Sequence, residues 1–241
     1  MAIPLSPSQS EIQAAMRSFL LWVLPPGCEV VAAQNNRVPE PVSQNFVVIT
    51  PLFDKRLSTN LNQYVDVSFV GSISGTTLTV STINFGSIII GSSLFGVGVA
   101  NGTTIVGPPN ASGGAGVYTV SASQTVASQK MASGSAILTQ PIDFSLQIDI
   151  HSSSLTFAAD MARAVTTAFR DINASTWFID NYGGTITPLY ADDPRQVPFI
   201  NDQNQYESRW VITAHLQVNV SVFVPQQFAD QLSIETFPPV G

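Results

Sequence analysis

The stretch "LTQPIDFSLQIDI" (Leu138–Ile150) alternates apolar and polar residues, with Phe144, Leu146, Ile148 and Ile150 falling on one side. A period of two places alternate side chains on opposite faces of a strand, so the stretch predicts a strand with one buried face. The next stretch, "SSSLTFAADMARAVTTAFRD" (Ser152–Asp171), switches to helical spacing. Leu155, Ala158, Ala159, Ala162, Val165 and Phe169 line one side of it, and a serine just before it can cap its N-terminus. A strand feeding directly into an amphipathic helix marks an α+β domain, a sheet with helices against it.

The same grammar recurs outward in both directions. "SQSEIQAAMRSFLLWVL" (Ser8–Leu24) predicts a first helix, with Ser8 and Glu11 at capping-box spacing and "PPG" (Pro25–Gly27) ending it. "CEVVAA" (Cys28–Ala33) and "NFVVITPLF" (Asn45–Phe53) predict strands, and "DKRLSTNLNQY" is expected to turn outward after the second. The prolines of "QNNRVPEP" (Gln34–Pro41) predict a loop. Downstream, "ASTWFIDNYGGTITPLY" predicts a short element, a Gly183–Gly184 turn and a strand. "RWVITAHLQVNVSVFV" (Arg209–Val224) predicts a long strand with Trp210, Ile212, Ala214, Leu216, Val218, Val220 and Val222 on one face, and "PQQFADQLSIETF" one helical turn and an edge strand.

The middle of the chain has another character. Between Gly71 and Ala136 lies a single charged residue, Lys130, and twelve of the sixteen glycines. "GTTLTV", "GSIIIGSSLFGVGV", "GTTIVG" and "GVYTVSA" predict short β-type runs separated by glycine turns. Leu78, Val80, Ile88–Ile90, Leu94, Phe95 and Tyr118 supply apolar mass that a flexible linker lacks. The expected organisation is a discontinuous α+β domain over 1–66 and 137–241, with a mixed or mainly antiparallel sheet. A small all-β domain over 67–136 is inserted at a hairpin tip, where host backbone is little disturbed.

Composition narrows the function classes. Charged residues make up only 10% of the 241, against roughly 25% in ordinary soluble domains; burial in an assembly or a Ser/Thr/Asn/Gln-rich surface would account for the deficit. The net charge is −7, with nine scattered basic residues, which leaves no concentrated footprint for gripping nucleic acid. A channel that lets DNA pass without holding it fits that balance. Cys28 is the only cysteine, so neither an internal disulfide nor a cysteine zinc cluster is expected, and it reads as a small buried hydrophobe. No secretory signal and no membrane span are expected.

Chemistry-bearing patterns are weak. His151 follows Asp149 and precedes three serines, but the elbow motif that would support a Ser-His-Asp assembly is absent. His151 reads as a strand-end residue, and His215 as a partly exposed histidine at an interface. "DDPR" (Asp192–Arg195) could hold a cation, yet it lacks calcium-loop spacing. The favoured reading is a turn in which Asp193 accepts local backbone N–H groups and Arg195 pairs with a carboxylate of its own or a neighbouring chain. No phosphate loop or dinucleotide fingerprint has its required context. No catalytic activity and no cofactor or metal are expected. A surface- or glycan-binding role of the β insert, through Tyr118 and Phe95, is an alternative, though such residues are more often core.

Several ordered segments carry a family resemblance. "QNNRVPEP…FVVITPL…RLSTN" (Gln34–Asn60), "TPLYADDPRQVPFINDQNQYESRWVITAHLQVN" (Thr187–Asn219) and "VPQQFADQL" (Val224–Leu232) resemble the neck or tail terminator proteins of tailed bacteriophages. "GSISGTTLTV", "GVGVANGTTI" and "GVYTVSASQTVAS" resemble a recurrent Gly/Thr-rich insertion of phage structural proteins. The resemblance implies a virion protein, assembled in the host cytoplasm, that forms a homohexameric ring at the head-proximal end of the tail. It would stop tail-tube growth and join the tail to the neck. The implied partners are the tail tube protein, the sheath in some tails, and head-completion, connector or collar proteins. DNA would pass without sequence-specific binding, and no membrane is involved. Another phage component (connector, tube or baseplate) is the alternative within this class. In a ring, Asp192, Asp193, Arg195, Asp202, Glu207 and Arg209 would offer both signs of charge to a neighbour, with Tyr190, Phe199 and Tyr206 as less polar anchors.

Overall fold

The computed structural model describes residues 5–33, 43–108, 112–197, 199–200 and 206–225. The expected loop at Gln34–Pro41, the C-terminal turn after Pro225 and Asp202 lie outside them, wholly or in nearly all their length. The chain divides into two compact units, one of residues 5–60 and 139–221, the other of 1–4, 61–138 and 222–241.

The α+β unit begins with β1 (Leu5–Ser6) and α1 (Gln9–Val23). Ser8 caps α1: its side chain accepts from the Glu11 N–H, while the Glu11 carboxylate accepts from the Ser8 N–H at 2.6 Å. The reciprocal bonds satisfy two of the donors that a helix start leaves open; the Ser8 N–H, and after it the Ser8 hydroxyl donating to the same carboxylate at 2.8 Å, lower the Glu11 pKa. Then follow β2 (Glu29–Ala32) and β3 (Asn45–Arg56). These two run parallel, with Val30 beside Val47. β3 continues through the Asp54–Arg56 stretch that was expected to turn away, because it stays paired with the strand opposite as far as Arg56↔Ile142.

That strand is β7 (Gly116–Ser152), whose last part forms the centre of this sheet. After it come α2 (Leu155–Phe169), capped by Ser154, and α3 (Ile172–Tyr182), capped by Asp171 and stopped by Gly183 in the left-handed region at φ 59°. Glycine suits that position because it carries no Cβ to clash. The chain closes through β8 (Ile186–Ala191), β9 (Arg195–Gln196), β10 (Phe199–Ile200) and β11 (Tyr206–Pro225). The sheet order is β1-β11-β7-β3-β2, and β8, β9 and β10 each pair with β11. The pairing is antiparallel along β3–β7 and from β11 to β8, β9 and β10, so the fold is α+β with a largely antiparallel sheet.

Helices α1, α2 and α3 pack on one face of this sheet. Phe144, Leu146, Ile148 and Ile150 from β7 and Ile212, Ala214, Leu216 and Val218 from β11 meet Met16, Phe19, Phe169 and Phe178 from the helices. Each large apolar side chain buried here contributes roughly 1.5–3 kcal/mol. The expectation of a single buried face on β7 is overturned: Asp143, Ser145, Asp149 and His151, on the other face, are buried as well. Among the described residues their partners come from neighbouring strands: His215 for Asp143 and Ser145, Arg209 for Asp149 and the Phe46 ring for His151.

The second unit has its own core of Val67, Phe69, Leu78, Ile105, Tyr118 and Met131, among others. Its runs are longer and fewer than the glycine spacing suggests. β4 (Leu61–Phe85) doubles back on itself around Gly75 at φ 62°, with Ser81 Oγ donating to the Val70 carbonyl and Asn84 Nδ2 to Ser68 Oγ. Ile88–Ile90 are in no strand; among the described residues between β4 and β7 the strands are β5 (Ser93–Phe95) and β6 (Ile105–Gly107), and both pair with β7. Tyr118 is core, its hydroxyl donating to the Gly114 carbonyl at 2.6 Å, so its ring is closed to a glycan. Burial raises its pKa.

Candidate functional site

In the charged stretch that begins at Leu189, β8, β9 and β10 each lie antiparallel along β11. Tyr190 stands opposite His215, Arg195 opposite Val211, Gln196 opposite Trp210, and Phe199 opposite Glu207. Backbone bonds from Asp192 N to the Thr213 carbonyl (2.8 Å) and Val197 N to the Arg209 carbonyl (2.9 Å) hold the loops between them. One sheet edge therefore gathers Tyr190, Asp192, Asp193, Arg195, Phe199, Tyr206, Glu207 and Arg209.

Within that edge the charges divide into three kinds. Asp193 accepts from Arg170 NH2 at 2.8 Å, and the same guanidinium donates twice to the Ala191 carbonyl, at 2.9 and 2.7 Å. Arg170, at the end of α2, thus ties down the turn that leaves β8. Arg209 turns inward to buried Asp149. Asp192 and Arg195 are exposed and make no ion pair among the described residues. The partner expected for Asp193, local backbone N–H groups, is replaced by an arginine twenty-three positions upstream in sequence, which spacing alone does not reveal.

The polar face of β7 is the feature that sequence reading missed. His215 is 7% exposed, correcting the expectation of a partly exposed side chain. Its Nδ1 lies 2.9 Å from Asp143 Oδ1 and 3.1 Å from Ser145 Oγ. Both oxygens meet the same ring nitrogen. A proton relay to a serine nucleophile needs the carboxylate on one nitrogen and the hydroxyl on the other, so this trio is a structural knot and not such a relay. Tyr190 stacks on the His215 ring at 4.1 Å, and Phe53 approaches its edge at 6.4 Å. Since β3 pairs Phe53 with Ser145, a single row crosses four strands: Phe53, Ser145, His215, Tyr190. Further along, Gln147 Nε2 donates to both Asp149 oxygens (3.0 and 2.8 Å), and Phe46 stacks on His151 at 4.5 Å. The available signal was the unbroken polar alternation Asp143, Ser145, Gln147, Asp149, His151.

On the helix-bearing side a cleft of about 410 Å³ opens between Ile12, Asp54, Arg56, Ile142, Phe144 and their neighbours. Burial there raises the Asp54 pKa. Cys28 is buried and free, its thiol pKa raised by burial. Among the described residues, no helix is long and apolar enough to cross a membrane.

The described residues thus form an α+β unit with a helix-backed sheet and a charged edge, and a second β unit. The family model described as phage neck terminator protein matches residues 82–240, well over half of the chain. The protein belongs to that family, and so to the structural proteins of the phage virion. No curated protein matches it.

Proposed function

We propose that the protein forms the ring that closes the head-proximal end of the phage tail, stops growth of the tail tube and joins the tail to the neck. Family membership over residues 82–240 carries this reading. The low charge content and the edge that presents Tyr190, Asp192 and Arg195 to solvent support it as a surface made for neighbours. The ring is a homohexamer. Its partners are the tail tube protein, the sheath where the tail has one, and the connector, collar or head-completion proteins. DNA passes through it without being read, and the role is structural, with no catalytic step or cofactor.

Closed cyclic symmetry leaves no free interface at either end of the set, which suits a cap on a tube. Mass measurement and electron microscopy of intact tails test the reading. Six copies at the head-proximal end are expected; twelve copies, or a position at the distal end, would overturn it.

A further inference from the structure

Independently of the ring, we infer that Arg17 and Arg170 guard the two edges of the sheet in the α+β unit. Each holds its guanidinium over an outward backbone carbonyl, so that a strand of another chain cannot pair there.

An edge strand offers a row of unpaired N–H and C=O groups, and a chain with two such edges can add copies without closing. Among the described residues β2 ends the sheet on one side. Ala33, directly after it, donates its N–H to the Ile49 carbonyl of β3 at 2.9 Å. Alternate residues of a strand bond to alternate sides, so Val31 faces β3, while Val30 and Ala32 turn their N–H and C=O groups outward. Arg17 of α1 reaches over that edge, and its Nε donates to the Val30 carbonyl at 3.0 Å. Arg17 is exposed and makes no ion pair among the described residues, so this carbonyl is what holds it.

At the other side β1, β8, β9 and β10 pair with β11. β1, β9 and β10 have two residues each, too short to template a strand. β8 has six. The Asn219 N–H donates to the Thr185 carbonyl at 2.9 Å and the Asp192 N–H to the Thr213 carbonyl at 2.8 Å. With the register on either side of the β8–β11 irregularity, these bonds leave Ile186, Pro188 and Ala191 facing outward. Pro188 has no N–H to offer. The Ala191 carbonyl accepts from Nε and NH2 of Arg170, at 2.9 and 2.7 Å, and Asp193 braces the same NH2 at 2.8 Å.

Two arginines from different helices thus meet opposite edges with the same group on the same kind of atom. A strand arriving at either edge would have to displace a charged, planar donor before its own N–H reached the carbonyl. The side chains of the β8–β10 edge, Tyr190, Asp192 and Arg195 among them, stay open to neighbours; only the backbone ladder is closed. The device keeps copies from joining by extension of the sheet.

Sedimentation of the purified full chain over a concentration series tests the guards, with Arg17→Ala, Arg170→Ala and Arg163→Ala compared with the unchanged protein and each checked for cooperative unfolding. Arg17→Ala and Arg170→Ala should remain folded and associate at a concentration about tenfold lower than the unchanged protein, since each freed carbonyl gains a hydrogen bond in the oligomer. Arg163→Ala, whose guanidinium pairs with Asp160 on its own helix, should not. Amide exchange identifies the contact: Val30 and Ala32 should become protected in the Arg17→Ala oligomer, and Ile186 and Ala191 in the Arg170→Ala oligomer. In the Arg17→Ala chain, Ala32→Pro removes an outward donor without touching the β2–β3 ladder and should restore the unassociated protein. If Arg170→Ala does not fold, Arg17→Ala decides alone, because it leaves the turn after β8 intact. Folded variants that associate no more than the unchanged protein, oligomers in which those amides stay unprotected, or association that Ala32→Pro leaves unchanged would overturn the inference. So would an Arg17→Ala chain that no longer folds, because the bond to Val30 would then be structural.

Discussion

Arg209 and Asp149 meet across adjacent strands, with Nε and NH2 of the guanidinium 3.0 and 2.7 Å from one carboxylate oxygen. The carboxylate is nearly inaccessible, and Gln147 donates to both its oxygens. An arginine that reads in sequence as a contact for a neighbour is, in the fold, a tie between β7 and β11. Arg209→Ala would leave a buried carboxylate short of its charge partner, which costs about 3 kcal/mol. The expected outcome is a clear fall in denaturation midpoint of the isolated protein. Asp149→Asn combined with Arg209→Met should recover part of that loss, since removing both charges leaves no uncompensated one. Equal loss in the single and double variants would show that Arg209 acts through packing alone.

Arg195 is the opposite case. It is exposed and pairs with nothing among the described residues, so Arg195→Ala should shift stability by no more than about 0.5 kcal/mol. Joined particles should nevertheless fall in number. Arg170→Ala would do the reverse first, because it releases the Ala191 carbonyl and Asp193 together and loosens the loop that positions Arg195. Thermal melts alongside counts of joined particles distinguish the two arginines.

The elements were legible wherever periodicity or capping is local. Ser8 and Glu11 announce α1, the serine before Leu155 announces α2, and the Phe144–Ile150 alternation announces the centre of the sheet, whereas α3 reads only as a short element because its cap, Asp171, falls at the end of the stretch that reads as the second helix. The candidate site was half legible. The Tyr190–Arg209 segment stood out by composition, but which of its charges face inward depends on residues far away in sequence: Arg170 for Asp193, Asp149 for Arg209, Asp143 for His215. A strand's polar face is normally read as solvated. Here Asp143, Ser145, Asp149 and His151 find partners on adjacent strands, and a period of two carries no record of that.

Asp54 gives the protein a small acid-side stability term. It lines the cleft beside Phe144, and burial raises its pKa. The folded state therefore holds this proton more tightly than the unfolded chain does. The associated stability is fully present below the unfolded pKa and is lost as pH rises through the raised folded value. At neutral pH the charged carboxylate is mildly unfavourable, so Asp54→Asn should be neutral to stabilising there, within about 0.5 kcal/mol for so exposed a group. The variant should also show a flatter stability profile across the carboxylate titration range. A loss of stability at neutral pH would mean that Asp54 makes a favourable contact that its partial burial conceals.

The β unit should be removable. Its core, from Val67 to Met131, shares no residue with the core of the α+β unit. The α+β unit also brings the two ends of the excision together by its own bonds: Gln140 Nε2 donates to Asn60 Oδ1 at 3.1 Å, and the Leu57 N–H to the Pro141 carbonyl at 3.1 Å. Residues 61–138 can therefore be replaced by a two-residue Asn-Gly turn, whose backbone suits an antiparallel pair. Closing a far shorter loop also lowers the entropy lost on folding. The shortened chain should fold cooperatively and keep the near-ultraviolet signal of the Trp22–Trp177 and Phe19–Phe178 contacts. If joining tails to necks depends only on the α+β unit, particles carrying the shortened chain should form at normal yield. A folded but inactive chain would assign the β unit a contact of its own within the virion, and an unfolded one would show that the two cores depend on each other.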